Sequence, residues 1–259
     1  MNIFIEKNNK TTLMKATVNM LLLSIVIIIV FWVALTRIGV AFDFSFVVKY
    51  QKRLFDGFLM TVFVSLASIA LSLVIGLFGA LGQNSKILLI RYLAKGYVAF
   101  IRGTPLLMQI SLFFYIVGTA IGIENRFVAG VLILSIFEGS YIAEIIRGAL
   151  LSQDETQLEA AKAVGFTKRQ TIRFVVLPQL IARTLPSLTG QFASIIKDSS
   201  LLSMISVIEL TQAMNEITAI NFKMFEGYLF LGFLYLCLTI PVSFISKRLE
   251  RRFSYENKT

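Results

Sequence analysis

Few side chains in this sequence are equipped for chemistry, and those that are stand in unusual places. His is absent and Cys237 is the one cysteine. A His-containing zinc site, a Ser-His-Asp or Cys-His nucleophile and an internal disulfide are therefore excluded. What remains is a set of charges in apolar surroundings: Glu138, Glu144, Lys197 and Asp198 lie within long runs of uncharged residues. An ionised group at the centre of a bilayer costs about 2.5–3.5 kcal/mol or more. Residues kept there at that cost suit the holding of a counter-charge better than the breaking of bonds. No catalytic residue and no metal site is expected.

Spacing separates these charges. Glu138 and Glu144 are six residues apart, about 600° around a helix, so they face different directions and have different tasks. Glu144 and Arg147 are three apart and can pair on one face. Glu138, at mid-depth, either forms an ion pair with Lys197 or awaits a cationic group. Arg102-Gly103-Thr104-Pro105 interrupts an apolar run, and Pro105 must start or kink a helix because it lacks a backbone donor.

The elements that position these residues are membrane helices. The 259 residues are 56% hydrophobic and only 15% charged, with a mean hydropathy of +0.78, whereas soluble domains carry about 25% charged residues. A hydrocarbon core about 30 Å thick needs about 20 apolar residues per helix. Six stretches qualify: Ala16 to Thr36, Leu54 to Gly82, Tyr97 to Gly122, Phe127 to Leu151, Leu180 to Ile208 and Tyr228 to Ser246. The second and fifth are longer than a span and call for tilt or a kink. The first is read as a retained helix; the other reading is a signal peptide cleaved near Ala41. Phe42 to Phe55 is either an amphipathic interfacial helix or an irregular loop.

The net charge of +10 would suggest a nucleic-acid partner in a soluble protein. Here it follows from topology. With both termini inside, 18 of the 25 Lys and Arg fall at cytoplasmic ends or loops, as the positive-inside rule requires. The expected organisation is a cytoplasmic tail over 1–15, an extra membrane helix over 16–37, one transmembrane domain over 50–252 and a cytoplasmic tail over 253–259. The lipid bilayer is the surrounding partner, and no nucleic acid is expected.

One long polar interruption breaks the pattern, between 152 and 178. Gln157 to Val164 is strongly helix-forming and Gly165 stops it. Thr167 can then cap a second short helix over Lys168 to Thr171 before Pro178. A plain connector needs neither feature, so two short helices joined at Gly165 read as an interaction surface.

These residues resemble a known pattern. Glu159-Ala160-Ala161, Gly165 and Val175-x-Leu177-Pro178 resemble the EAA motif of permease subunits in ABC importers, with Val where the family often has Ile. Arg102 to Leu107, Tyr141 to Gly148 with Glu144 and Arg147, Pro178-Gln179, Lys197-Asp198-Ser199-Ser200-Leu201 and Glu209-Leu210-Thr211 are similar to the polar amino acid branch (histidine, glutamine or arginine type). The likeness runs from about Gly57 to Arg252, about three quarters of the chain. It leaves out the first helix, and Glu138 departs from it.

The resemblance implies an all-α, MetI-like type I importer core of five helices plus one at the N terminus. It implies that Glu159, Ala160, Ala161, Gly165, Leu177 and Pro178 couple to a separate ATP-binding-cassette ATPase, which holds ATP-Mg. Lys197 and Asp198 match a family signature near the substrate pathway, the other reading being a self-paired kink at a helix interface; Glu138 is a candidate for the same pathway by its depth and not by the resemblance, while Arg102, Pro105, Glu144 and Arg147 are read as structural or coupling residues. Further implied partners are a second permease subunit, identical or not, and an extracytoplasmic amino acid-binding protein. The implied location is the bacterial inner membrane. The sequence has no Gly-x-x-x-x-Gly-Lys-Ser/Thr phosphate loop, so this chain needs no cofactor of its own and is not expected to be an enzyme. A secondary transporter or channel subunit would leave the polar segment unexplained, and should show internal repeats.

The orientation is testable. With Cys237 replaced by Ser, an Asn8→Cys chain is expected to resist an impermeant thiol reagent in intact cells. Ready labelling, or a mature N terminus near Phe42, would overturn the reading.

Overall fold

The computed structural model describes residues 13–38, 42–153 and 155–256. All regular structure among them is helical. The cleavage point considered near Ala41 and residues 1–12 of the expected N-terminal tail lie outside the described residues.

The first unit of the chain contributes α1 (Leu13–Ile38). Its polar side chains bond back to its own carbonyls: Asn19 Nδ2 to Lys15 O at 2.8 Å, Ser24 Oγ to Met20 O at 2.8 Å and Thr36 Oγ1 to Trp32 O at 2.9 Å. A helix whose few polar groups are satisfied internally is suited to lipid.

The second unit begins at Phe44 and holds every other element. The segment expected to be amphipathic or irregular is helical: α2 (Ser45–Lys49) turns at Tyr50 directly into α3 (Gln51–Gln83). Phe46 and Leu54 are buried there with Leu210, Met214 and Leu231. Next come α4 (Leu88–Gly103), α5 (Leu106–Leu112), a π-helical turn (Phe113–Gly118) and α6 (Arg126–Leu151). The polar segment supplies α7 (Glu155–Ala163) and α8 (Lys168–Thr171). A second π turn (Ile172–Val176) then leads into α9 (Leu177–Asp198), a 3₁₀ segment (Ser199–Ile205), α10 (Leu210–Asn221) and α11 (Met224–Glu256).

Packing is organised by α3 and α6. Along their contact α3 presents Ser68, Ser72, Gly76, Gly79 and Ala80, and α6 presents Ser135, Gly139, Ser140 and Ala143, all buried. A Cβ added at Gly76 would run into Ile142, and one at Gly139 would sit 2.6 Å from Ile75 Cγ2. Small residues let two backbones approach closely, which is how helices associate in lipid without a hydrophobic drive between them. The core of Val64, Ile101, Ile110, Leu134, Ile195 and Leu202 grows around this pair.

Among the described residues four helical stretches are long and apolar enough to cross a membrane: Met14–Ala34, Gln51–Gln83, Arg126–Leu151 and Met224–Leu249. α4 and the segment Leu106–Gly118 qualify only as a pair and meet at 112°, the geometry of a broken span or of a re-entrant loop. The interruption expected at Arg102 to Pro105 is therefore a sharp bend, with helix on both sides. The fifth stretch, read as Leu180 to Ile208, does not reach the same apolarity. Its polar residues gather on one side of α9, and its last turns tighten into the 3₁₀ segment before a further helix, α10, that hydrophobicity alone does not announce.

The bend is stabilised locally. Pro105 cannot donate to the carbonyl of Ile101, four residues back. Buried Gln109 replaces that donor: its Nε2 lies 2.7 Å from Ile101 O and 2.7 Å from Thr104 Oγ1. Gln109→Leu is expected to strand the carbonyl and cost about 1–3 kcal/mol, read as a lower unfolding midpoint of the detergent-solubilised protein. An unchanged midpoint would show that water reaches the bend.

Candidate functional site

The polar segment folds as its residues dictate. α7 ends in a Schellman arrangement: Phe166 N donates to Ala161 O at 2.9 Å and Gly165 N to Lys162 O at 3.0 Å, with Gly165 at φ +84°. Thr167 then opens α8 with a reciprocal capping box, its side chain accepting from Gln170 N while Gln170 Oε1 accepts from Thr167 N at 2.8 Å. Glu159, Ala160, Gly165, Leu177 and Pro178 are exposed, and Ala161 is buried. Val164, Ile172 and Phe174 are 75%, 58% and 60% exposed, an apolar surface on the most polar stretch of the chain.

This unit is fastened to α9. Gln179 Nε2 donates to Gln157 Oε1, and Arg183 Nη1 donates to Ser152 O and, at 2.9 Å, to Ser152 Oγ. Gln153 Nε2 reaches Val176 O at 3.4 Å. A force on α7 is thereby transmitted to the start of α9.

A second cluster lies on α6. Arg147 grips Glu144 with two bonds of 2.8 Å each, from Nε and Nη2. Arg102, at the end of α4, stands 3.4 Å from the same carboxylate and lies over the Tyr141 ring at 5.2 Å. The pair expected from the i, i+3 spacing is present and is bidentate, the geometry that favours Arg. Pro105 does not contribute a side-chain contact to it; it caps α5 and sets the direction in which Arg102 leaves.

The third cluster corrects an expectation. Glu138 is fully buried, but its partner is Gln191 of α9, whose Nε2 donates to Glu138 Oε2. Lys197 does not pair with it: it is exposed, on a different side of α9 from Gln191. The carboxyl group of Asp198 adjoins Glu138 instead, and Glu138 Oε1 meets no donor among the described residues. Beside them opens a cleft of about 350 Å³, walled by Leu106, Phe137 and Tyr141 on one side and by Gln191, Ser194 and Asp198 on the other. Glu138 and Asp198 are thus brought together, and Lys197 is left apart.

Two functional-looking residues escaped the sequence reading. Gln191 carried no signal there, being an uncharged residue in an apolar run. Glu209 matched a motif without a task, and the structure supplies one. Its carboxylate caps α10, accepting from Thr211 N and Gln212 N at 2.8 Å each and from the Tyr235 hydroxyl of α11 at 2.9 Å. Thr61 Oγ1 of α3 accepts from Leu210 N at 3.0 Å. A capping carboxylate before Thr-Gln was the available signal.

Residues 72–255 match the family described as binding-protein-dependent transport system inner membrane component. The chain belongs to this family. The permease is 37% identical over 213 residues to the glutamine transport system permease protein GlnP of Escherichia coli (strain K12), covering 82% of this chain and 97% of that one. It is 33% identical over 202 residues to the probable glutamine ABC transporter permease protein GlnM of Bacillus subtilis (strain 168), covering 76% and 94%. A solved amino acid ABC transporter with histidines has a chain 34% identical, with a TM-score of 0.75, covering 82% of this permease and 100% of that chain. The MetNI methionine ABC transporter in an inward-facing conformation, 20% identical with a TM-score of 0.67 over 79% of this chain and 98% of that one, shares the fold. The permease is therefore a multi-pass ABC transporter component with the type I importer architecture.

The reassigned partner of Glu138 has a measurable consequence. Lys197→Gln is expected to shift unfolding stability by less than about 0.5 kcal/mol. Glu138→Leu, which strands Gln191, should cost about 1–3 kcal/mol, and Glu138→Gln, which keeps an acceptor, should cost less. A loss of several kcal/mol in Lys197→Gln would restore the ion pair.

Proposed function

We propose that this permease forms the translocation pathway of an ATP-driven importer for polar amino acids in the bacterial inner membrane, with both termini in the cytoplasm. A separate ATPase docks on the segment from 155 to 178 and holds the ATP-Mg. A second permease subunit completes the pathway, and an extracytoplasmic binding protein delivers the substrate. The observation that carries this reading is the helix, Gly165 turn and capped helix, bearing an exposed apolar surface outside the membrane spans and fastened to α9. The names of the similar proteins, which refer to glutamine and to histidines, support the substrate class.

The chain's part in the cycle is mechanical. Docking of the ATPase on Glu159, Ala160, Ala161, Gly165, Leu177 and Pro178 moves α7, and the bonds from Gln157 to Gln179 and from Ser152 to Arg183 carry the motion into α9. α9 bears Gln191, Ser194 and Asp198 on the cleft wall, so its displacement reshapes the cleft. The adjoining acceptor oxygens of Asp198 and Glu138 suit the ammonium group of an amino acid, and exposed Lys197 suits its carboxylate. Arg102, Glu144 and Arg147 hold the end of α4 against α6 while α9 moves.

Gly165 tests the coupling. A Val at φ +84° costs about 1–3 kcal/mol of backbone strain, whereas Asn tolerates that region. Gly165→Val is expected to insert normally but to lose ATPase co-purification and amino acid uptake together, and Gly165→Asn to retain both. Normal complex formation in Gly165→Val would overturn the assignment.

A further inference from the structure

An apolar cleft in the second unit has no part in the pathway just described. It has a volume of about 580 Å³ and lies where α3 and α11 splay apart over α9. Its floor is the side of α9 that carries Leu185, Thr189, Phe192 and Ile196, about 140° from the side that carries Gln191 and Asp198. Its walls are aliphatic, with few polar groups. Thr61 Oγ1 donates to Gly57 O at 3.0 Å, and Thr189 Oγ1 is bonded to Ser246 Oγ at 2.7 Å. Ser65 adds one hydroxyl without a partner.

Length and charge say what fits. Along α11 the cleft runs from Leu238 to Leu249, twelve residues separated by a rise of about 16 Å at about 1.5 Å per step. Half of a hydrocarbon core about 30 Å thick is about 15 Å, so the cleft has the height of one leaflet. At its Leu249 end exposed Arg248 borders the cleft, while Lys247, also exposed, stands on the far side of α11. Leu185 reaches the same end from α9, close behind the coupling segment. With that segment on the cytoplasmic side, an orientation that rests on the function proposed above, the basic mouth opens at the inner surface. A second copy of the chain would bring the same cation to the same mouth, at an electrostatic cost. An anionic headgroup meets it with opposite charge.

We propose that this cleft is a site for an anionic phospholipid of the inner leaflet, one acyl chain lying against α9 between α3 and α11 and the headgroup held by Arg248. The lipid is then wedged behind the helix that carries the cleft wall of the pathway, on the side opposite the substrate.

The test uses the full chain with its co-expressed ATPase, reconstituted in vesicles of phosphatidylglycerol and phosphatidylcholine, with a trace of either lipid bearing a photoreactive acyl chain. Labelled residues are mapped by mass spectrometry. Labelling is expected to concentrate on Leu66, Leu238 and Val242 and to favour phosphatidylglycerol. Each cation near an anionic surface is worth about fivefold in binding, so Arg248→Gln should reduce the preference for the anionic lipid by about fivefold. Val242→Trp, or Leu66→Trp should the first variant not fold, fills the cleft and should abolish the labelling. Labelling spread evenly over outward residues such as Phe63 and Phe244, labelling indifferent to both kinds of variant, or cross-links from the cleft to a second copy would each overturn the site. An inverted orientation is told apart separately: the cleft would still label, but a membrane-impermeant quencher would reach the headgroup from the outer side.

Discussion

The constraint on which this fold depends is the near-contact of two backbones, α3 and α6, in a solvent that gives no hydrophobic reward for association. Lipid tails are as apolar as leucine, so helices hold together there by close packing and by hydrogen bonds. Gly76 meeting Ile142, and Gly139 meeting Ile75, leave no room for a Cβ on either side. Everything else is referred to this pair. α4 leans on it through Tyr97, whose hydroxyl donates to Ile136 O at 2.6 Å, and α9 reaches it through Gln191 and Glu138. The same pair also fixes the depth of Glu144, and with it the place where Arg102 ends α4.

A rigid pair at the centre permits irregular backbone around it. Broken helices at membrane depth are tolerated only where their freed polar groups find other partners. Gln109 substitutes for the donor missing at Pro105, and Glu209, Tyr235 and Thr61 together satisfy the start of α10. Each repair ties a break to a neighbouring helix or turn. The breaks therefore act as fixed corners.

The legible parts of the sequence were those governed by local rules. The Gly165 turn, the Thr167 capping box and the Glu144 to Arg147 pair each follow from residues within a few positions of one another, and all three are present as expected. The bend at Pro105 was legible in position but not in size, because its angle is set by what α4 and α5 pack against. The partner of Glu138 was misread for a physical reason. Charge suggested Lys197, but helical phase places Gln191 toward α6 and turns Lys197 away, and an uncharged amide leaves no mark in a hydropathy profile. α10 was hidden likewise, since its cap lies at the end of an apolar run and its amphipathic residues are too few to span.

α9 shows why its own composition was ambiguous. A helix that faced only lipid would be apolar throughout, and one that faced only a solute would be polar on a broad side. α9 carries Gln191, Ser194 and Asp198 at spacings of three and four residues, and Leu185, Thr189, Phe192 and Ile196 at the same spacings on nearly the opposite side. The two sets give it an amphipathic character that lowers its mean apolarity below that of a span, and they place two chemically different clefts back to back across one helix. A displacement that widens one must narrow the other, so long as α3 and α6 do not move. On the functions proposed above, what the bilayer admits on one side of α9 bears on what the pathway admits on the other, and the close packing of α3 on α6 is the fixed frame against which that reciprocity would act.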